Sequence, residues 1–262
     1  MSAGMEPGLD AGELVLRGRV MPASNLTFVA TLRSPSGEDL DVVYKPIRGE
    51  RPLWDFPDGN LAHRELAAFL VSEATGWDIV PETWLGEGPH GIGMVQRWCH
   101  IDETQAAVTI VPEGEVPTGW CHVFDGFGAD DQPVSLIHED SEPLRRMAVF
   151  DVLVNNADRK GGHVLEMADG HRYGIDHGIC FHSQPKLRTV LWGWAGEPLT
   201  TQETDVVRRL RTSLDAELGR ALEPYLSVWD LEALADRCDD LLARGTLPEP
   251  GGGWPSVPWP PF

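Results

Sequence analysis

Residues 155–181, NNADRKGGHVLEMADGHRYGIDHGICF, contain two short runs of strand character, one from His163 to Met167 and one from His171 to Asp176, on either side of Asp169-Gly170. Asp-Gly between such runs is a strong signal for a two-residue hairpin loop. With that loop, Ala168 pairs with His171 and, continuing outward, His163 is expected opposite Asp176, with Cβ atoms roughly 5 Å apart. Asp158 precedes His163 on a loop at the open end of the same hairpin. Two carboxylates and an imidazole are therefore expected to converge. One carboxylate can orient or deprotonate a hydroxyl while the other holds a divalent cation, the division of labour that phosphoryl transfer requires. Taken singly, each residue has an ordinary reading, as a turn cap, a strand-edge histidine or a strand terminator.

Working outward, SEPLRRMAVFDVLVNNAD opens with Ser141 as a cap and spaces Leu144, Met147, Ala148, Val152 and Leu153 as a helix to about Asn155. Further upstream, NLAHRELAAFLVSEATGW puts Leu61, Leu66, Phe69 and Leu70 near one face, with Asn60 as cap and Gly76 as stop. The stretches ELVLRGRV, TFVATLRS and LDVVYK, from Glu13 to Lys45, read as three antiparallel strands, and IGMVQRW as a further short one. Residues 102–140 carry enough Pro, Gly, Asp and Glu to be expected mostly as loops and turns. After an irregular stretch beyond Asp176, helices are expected at about 200–222 and 229–243, followed by a Pro/Gly-rich tail. Strands with one helix, then mostly helices, predict an α+β protein of two lobes. The expected divisions are an N-lobe over 1–98, a C-lobe over 99–246 and the tail over 247–262.

The pattern Asn156-x-Asp158-Arg159-x-x-x-His163, followed by Gly174-Ile175-Asp176-x-Gly178-x-x-Phe181, resembles the catalytic and metal-binding loops of the phosphatidylinositol 3- and 4-kinase superfamily. It is most similar to an actinobacterial, phosphatidylinositol kinase-like branch. The resemblance covers about residues 14–200. It implies a protein-kinase-like fold with a β-rich N-lobe and a mainly helical C-lobe. It also makes Asp158 and Arg159 the catalytic-loop pair, and Asp176 the metal-binding aspartate. Val43-Tyr44-Lys45-Pro46 resembles the strand whose lysine contacts ATP phosphates, and Glu65 in His63-Arg64-Glu65-Leu66-Ala67-Ala68 matches the helix glutamate that pairs with it, in preference to Glu73. Gln96 and Trp98, in Gly93-Met94-Val95-Gln96-Arg97-Trp98, would lie at the strand and hinge that meet adenine. ATP with Mg²⁺ or Mn²⁺ is the implied cofactor set.

Two departures stand out. The family has asparagine where His163 stands, and Mg²⁺ prefers oxygen donors whereas imidazole suits softer ions. His163 is thus expected either as a ligand that favours Mn²⁺ or as a contact to phosphate or water. The turn from Met21 to Thr27 lacks a Gly-rich loop, leaving Ser24 and Asn25 as the candidate phosphate donors. Two Trp-Cys-His triplets, 98–100 and 120–122, lack a standard zinc spacing. Lys186 and Arg188 fall where a substrate loop would be.

Against 21 Lys and Arg, 41 Asp and Glu leave a formal charge of −20, the wrong sign for gripping nucleic acid or an anionic membrane. Four scattered cysteines, no apolar run of membrane length and no basic, apolar leader point to a cytoplasmic protein. The expected activity is a phosphotransferase that moves the γ-phosphate of ATP to a hydroxyl on a protein, a soluble polyol or an inositol-type lipid. The alternatives are a nucleotide-binding pseudokinase and a protein AMP-transferase on the same scaffold. The sequence leaves the acceptor and the oligomeric state open.

Overall fold

A computed structural model of the chain describes residues 12–21, 25–33, 39–51, 53, 56, 60–252 and 255–262. Strands β1 (Glu13–Arg19), β2 (Phe28–Arg33), β3 (Asp39–Pro46), β4 (Thr83–Gly88) and β5 (Gly91–Arg97) form one antiparallel sheet in the order β1-β2-β3-β5-β4. Alternation along β3 buries Val42 and Tyr44 in a small core with Leu14, Ala30, Leu32, Trp84 and Val95. The same alternation sends Lys45 to the opposite face.

Helix α1 (Leu61–Thr75) begins at Asn60, whose side chain accepts from the His63 amide, and stops at left-handed Gly76, as the sequence predicts. The Glu50 carboxylate accepts from the Leu61 and Ala62 amides, occupying two more of the donors that a helix start leaves free. Ala67, Ala68 and Val71 of α1 pack in a larger core shared with the rest of the chain rather than with the sheet's own core. A buried ion pair from Arg64 to Asp230 and a 2.7 Å bond from Arg64 to the Cys180 carbonyl tie α1 further to that part.

Helix α2 (Glu142–Val154) runs from the Ser141 cap to left-handed Asn155. It leads into a loop, a single 3-10 turn at Gly161–His163, and the hairpin β9 (Val164–Glu166) and β10 (Arg172–Gly174). Helices α3 (Thr201–Leu214), α4 (Glu217–Leu222) and α5 (Val228–Arg244) complete the helical part, with capping boxes at Thr200/Glu203 and Ser227/Asp230. The α+β architecture is therefore as expected, a β-rich beginning and a mainly helical remainder. Among the described residues no helix is long and apolar enough to cross a membrane.

Three expectations are corrected. Residues 102–140 contain a second antiparallel sheet, β6 (Val108–Pro112), β8 (Pro133–Glu139) and β7 (Trp120–Phe127), in that spatial order. The flanking strands β6 and β7 are half exposed, β8 buries four residues in a row, and β7 is bulged between His122 and Phe124, so the alternation is broken. The helix expected over 200–222 is two helices, because the chain turns at Asp215-Ala216. The hairpin is out by one residue: Glu166 pairs with Arg172 and Val164 with Gly174, leaving a three-residue loop, 168–170. The Asp169 side chain accepts from the His171 amide and Met167 and His171 close the loop, which a two-residue Asp-Gly turn would not allow.

Candidate active site

The register places Ile175, not Asp176, opposite His163, through a bond from the Ile175 amide to the His163 carbonyl. The convergence holds nevertheless, for a different reason. Asp176 lies in the left-handed region with φ 61°, and the 3-10 turn at 161–163 takes His163 off the ladder. His163 Nε2 and Asp176 Oδ2 end 3.5 Å apart.

A cleft of about 440 Å³ is lined by Lys45, Glu65, Asp158, Lys160, His163 and Asp176, together with Asn25, Arg51, Met94 and Gly178. Lys45 Nζ is bonded to Glu65 Oε1 at 2.9 Å and to Asp176 Oδ1. Burial alone would lower its pKa, but the two carboxylates outweigh that and hold the ammonium above its ordinary value. Asp176, facing Lys45, is held far below the usual carboxylate range. Glu65 is buried, and its second oxygen accepts from the His177 amide at 2.9 Å. Glu73 is exposed elsewhere on α1, so the pairing falls to Glu65.

Asp158 lines the same cleft as Asp176, with Lys160 Nζ at 3.7 Å. Burial raises its pKa, against the opposing charges of Lys160 and Arg188. Its amide donates to Asn156 Oδ1, and Asn156 Nδ2 donates to Asp151, so the position of the loop is set from α2. Burial pushes His163 down to about 4, keeping it neutral, and its Nδ1 is buried without a partner.

Arg159, expected beside Asp158 in the catalytic loop, does not line the cleft. It is fully buried, and its guanidinium is bonded to Asp151, to the His163 and Ile175 carbonyls and to His177 Nε2, so no donor faces the cleft. Gly174 leaves room for it, since a Cβ there would meet the guanidinium at 2.9 Å. Gln96 is buried and donates to Thr83 Oγ1, Trp98 lies at the surface, and neither lines the cleft. Asn25 lines it and accepts from the Arg51 amide, while Ser24 lies outside the described residues. Lys186 is buried with its ammonium over the Phe56 ring, and Arg188 Nε donates to the Ala157 carbonyl.

Two structural partners escaped sequence reasoning, Asp151 and His177, while Asn156 entered it only as the first residue of the motif. The signal for Asp151 was a lone carboxylate inside an apolar helical run. For His177 it was an imidazole between Asp176 and Gly178; burial holds it neutral, well below its ordinary pKa.

Among the described residues no three His, Cys, Asp or Glu side chains gather as a metal cage. Asp176 and His163 offer one carboxylate and one imidazole, with Asp158 lining the same cleft. That mixed set, completed by phosphate oxygens and water, fits Mn²⁺ better than Mg²⁺, which prefers oxygen donors.

The chain belongs to the family of Protein Rv2133c from Mycobacterium tuberculosis (strain ATCC 25618 / H37Rv), with 46% identity over 261 residues, 96% of this chain and 93% of that protein. Two Arabidopsis thaliana proteins, phosphatidylinositol 4-kinase gamma 6 and gamma 7, are 26% and 25% identical over 64% of this chain, which spans only 28% and 27% of their lengths. No family model matches the sequence. Among solved structures, a Golgi casein kinase overlays with TM-score 0.48 and 14% identity, over 90% of this chain and 72% of that one. The Helicobacter pylori proinflammatory kinase CtkA overlays with TM-score 0.43 and 16% identity, over 89% and 92%.

Proposed function

We propose that the chain is a phosphotransferase that moves the γ-phosphate of ATP to a hydroxyl acceptor. The observation that carries this reading is the arrangement of Lys45, Glu65, Asp158 and Asp176 around one cleft. Lys45, oriented by Glu65, holds the phosphates, and Asn25 supplies a polar contact from the β1–β2 turn. Asp176 and His163 would hold the divalent ion, which would supply positive charge beside the transferred group. Asp158 takes up the acceptor hydroxyl and orients it, and its raised pKa suits a group that handles a proton. Arg159 positions this loop against the metal loop. Gln96 and Trp98 belong, in this reading, to the hinge side, where backbone groups meet adenine.

The relatives named as phosphatidylinositol 4-kinases favour an inositol-type acceptor. The charge of −20 disfavours an anionic membrane surface and favours a soluble polyol or a protein hydroxyl. A cytoplasmic setting suits the four free cysteines.

A second reading, a nucleotide-binding pseudokinase, is favoured by the direct contact of Lys45 with Asp176, which occupies the carboxylate a cation would take. Calorimetric titration of ATP with Mg²⁺ and then Mn²⁺ into the wild type and Asp176→Asn, followed by incubation with α- and γ-labelled ATP and candidate acceptors, separates these readings. Metal-dependent binding lost in the variant, with γ-label on product, supports phosphotransfer. Binding without label supports the pseudokinase, α-label alone an AMP-transferase, and no binding removes ATP from the account.

A further inference from the structure

Residues 255–262 form neither helix nor strand, yet they are docked. The Ser256 carbonyl accepts from the Thr189 amide at 3.0 Å and from Trp192 Nε1 at 2.8 Å. Val257 packs on the main core and Pro258 is buried. The Pro261 carbonyl then accepts from the Gly161 amide at 2.8 Å, and the Phe262 ring covers Gly161 so closely that a Cβ there would stand 2.5 Å from it. Gly161 is not in the left-handed region, so its missing side chain serves the approach of this ring rather than a special backbone angle.

Both anchorages fall on segments that already touch each other. Arg159 and Thr189 form a parallel bridge, through the Arg159 amide to the Arg188 carbonyl at 3.0 Å and the Val190 amide to the Arg159 carbonyl at 3.1 Å. Residues 255–262 cross this bridge and bond to each side of it. Gly161 lies between Asp158 and Lys160 on one side and His163 on the other, the three residues of its loop that line the cleft.

We propose that residues 255–262 are a strap that positions the catalytic loop, with Pro261 and Phe262 as positioning residues acting through Gly161 on Asp158 and His163. None of the strap lines the cleft, so its effect on the site runs through the loop. Its effect on turnover rests on the phosphotransfer reading, whereas its hold on the loop does not.

The test compares Phe262→Ala, Phe262→Leu, Gly161→Ala and the double variant Gly161→Ala/Phe262→Ala in the full chain. Amide hydrogen exchange is followed in segments 61–75, 158–163 and 186–192, alongside ATP affinity and γ-phosphate transfer. Phe262→Ala is expected to speed exchange in 158–163 by about tenfold or more, leaving 61–75 unchanged. Phe262→Leu stays near wild type. Transfer falls about tenfold or more while ATP affinity holds, because a displaced loop costs orientation rather than binding. Gly161→Ala is damaging alone and milder once the ring is gone. Unchanged exchange at 158–163 in Phe262→Ala overturns the strap, as does an equal cost of Gly161→Ala in both backgrounds. If the wild type transfers no phosphate but the exchange results appear, the phosphotransfer reading falls and the strap stands.

Discussion

Asp151 and Arg159 pair at 2.9 Å with no solvent exposure of either side chain. The pair joins α2 to the loop carrying Asp158, and Arg159 reaches on to His163, Ile175 and His177 beside Asp176. Removing the carboxylate leaves a buried guanidinium without its counter-charge, a loss of about 3–5 kcal/mol. Asp151→Ala is therefore expected to unfold at much lower urea than the wild type. A loss below about 1 kcal/mol, the scale of an exposed pair, would mean that the pair is not the brace.

Glu65 divides its oxygens between Lys45 and the His177 amide. Glu65→Gln keeps the shape and removes the charge that makes these bonds strong, so ATP affinity should fall by about tenfold. Glu73→Gln, on the exposed side of α1, should leave it unchanged. Calorimetry on the two variants decides between the glutamates, and equal effects would end the assignment.

Asp158→Asn is expected to lower γ-phosphate transfer by about 10² or more with ATP affinity intact. Because burial raises the Asp158 pKa, the wild-type rate should rise with pH through a limb above the ordinary carboxylate value of about 3.9. Lys160 opposes that rise, so Lys160→Ala should move the limb to still higher pH. A rate profile in which the limb stays put would separate Lys160 from Asp158.

Burial holds His138, His163 and His177 below their ordinary pKa, His163 at about 4. The unfolded chain therefore binds more protons than the folded one once pH drops below about 6.5, and stability present above that value is lost as pH falls toward 4. His138 is the clean probe, since its Nε2 accepts from the Gly193 amide and its Nδ1 is bonded to the Glu139 carbonyl. Denaturation midpoints should decline between pH 7 and 5, less steeply in His138→Gln. A flat profile would contradict neutral burial.

The helices that open the two halves were legible because their signals are local: Asn60 and Gly76 bracket α1, and Ser141 and Asn155 bracket α2. The meeting of Asp158, His163 and Asp176 was legible too, although the hairpin register was not. That register depends on the Asp169 side chain bonding its own turn and on a left-handed Asp176, neither of which an Asp-Gly dipeptide displays. The second sheet escaped because Ile110 and Phe127 point outward and strand alternation there carries no inside-outside signal. Arg159 looked like part of the chemistry because sequence adjacency to Asp158 says nothing of side-chain direction. The buried carboxylate of Asp151, with the His163 and Ile175 carbonyls and His177, holds it inward.

The division of the hydrophobic interior has one more consequence. Helix α1 lays Ala67, Ala68 and Val71 in the larger core while the five-stranded sheet keeps its own small one, so Lys45 reaches from β3 across to Glu65 of α1 and to Asp176. Any substitution that removes the Lys45 ammonium therefore strips two carboxylates of the cleft of their counter-charge at once.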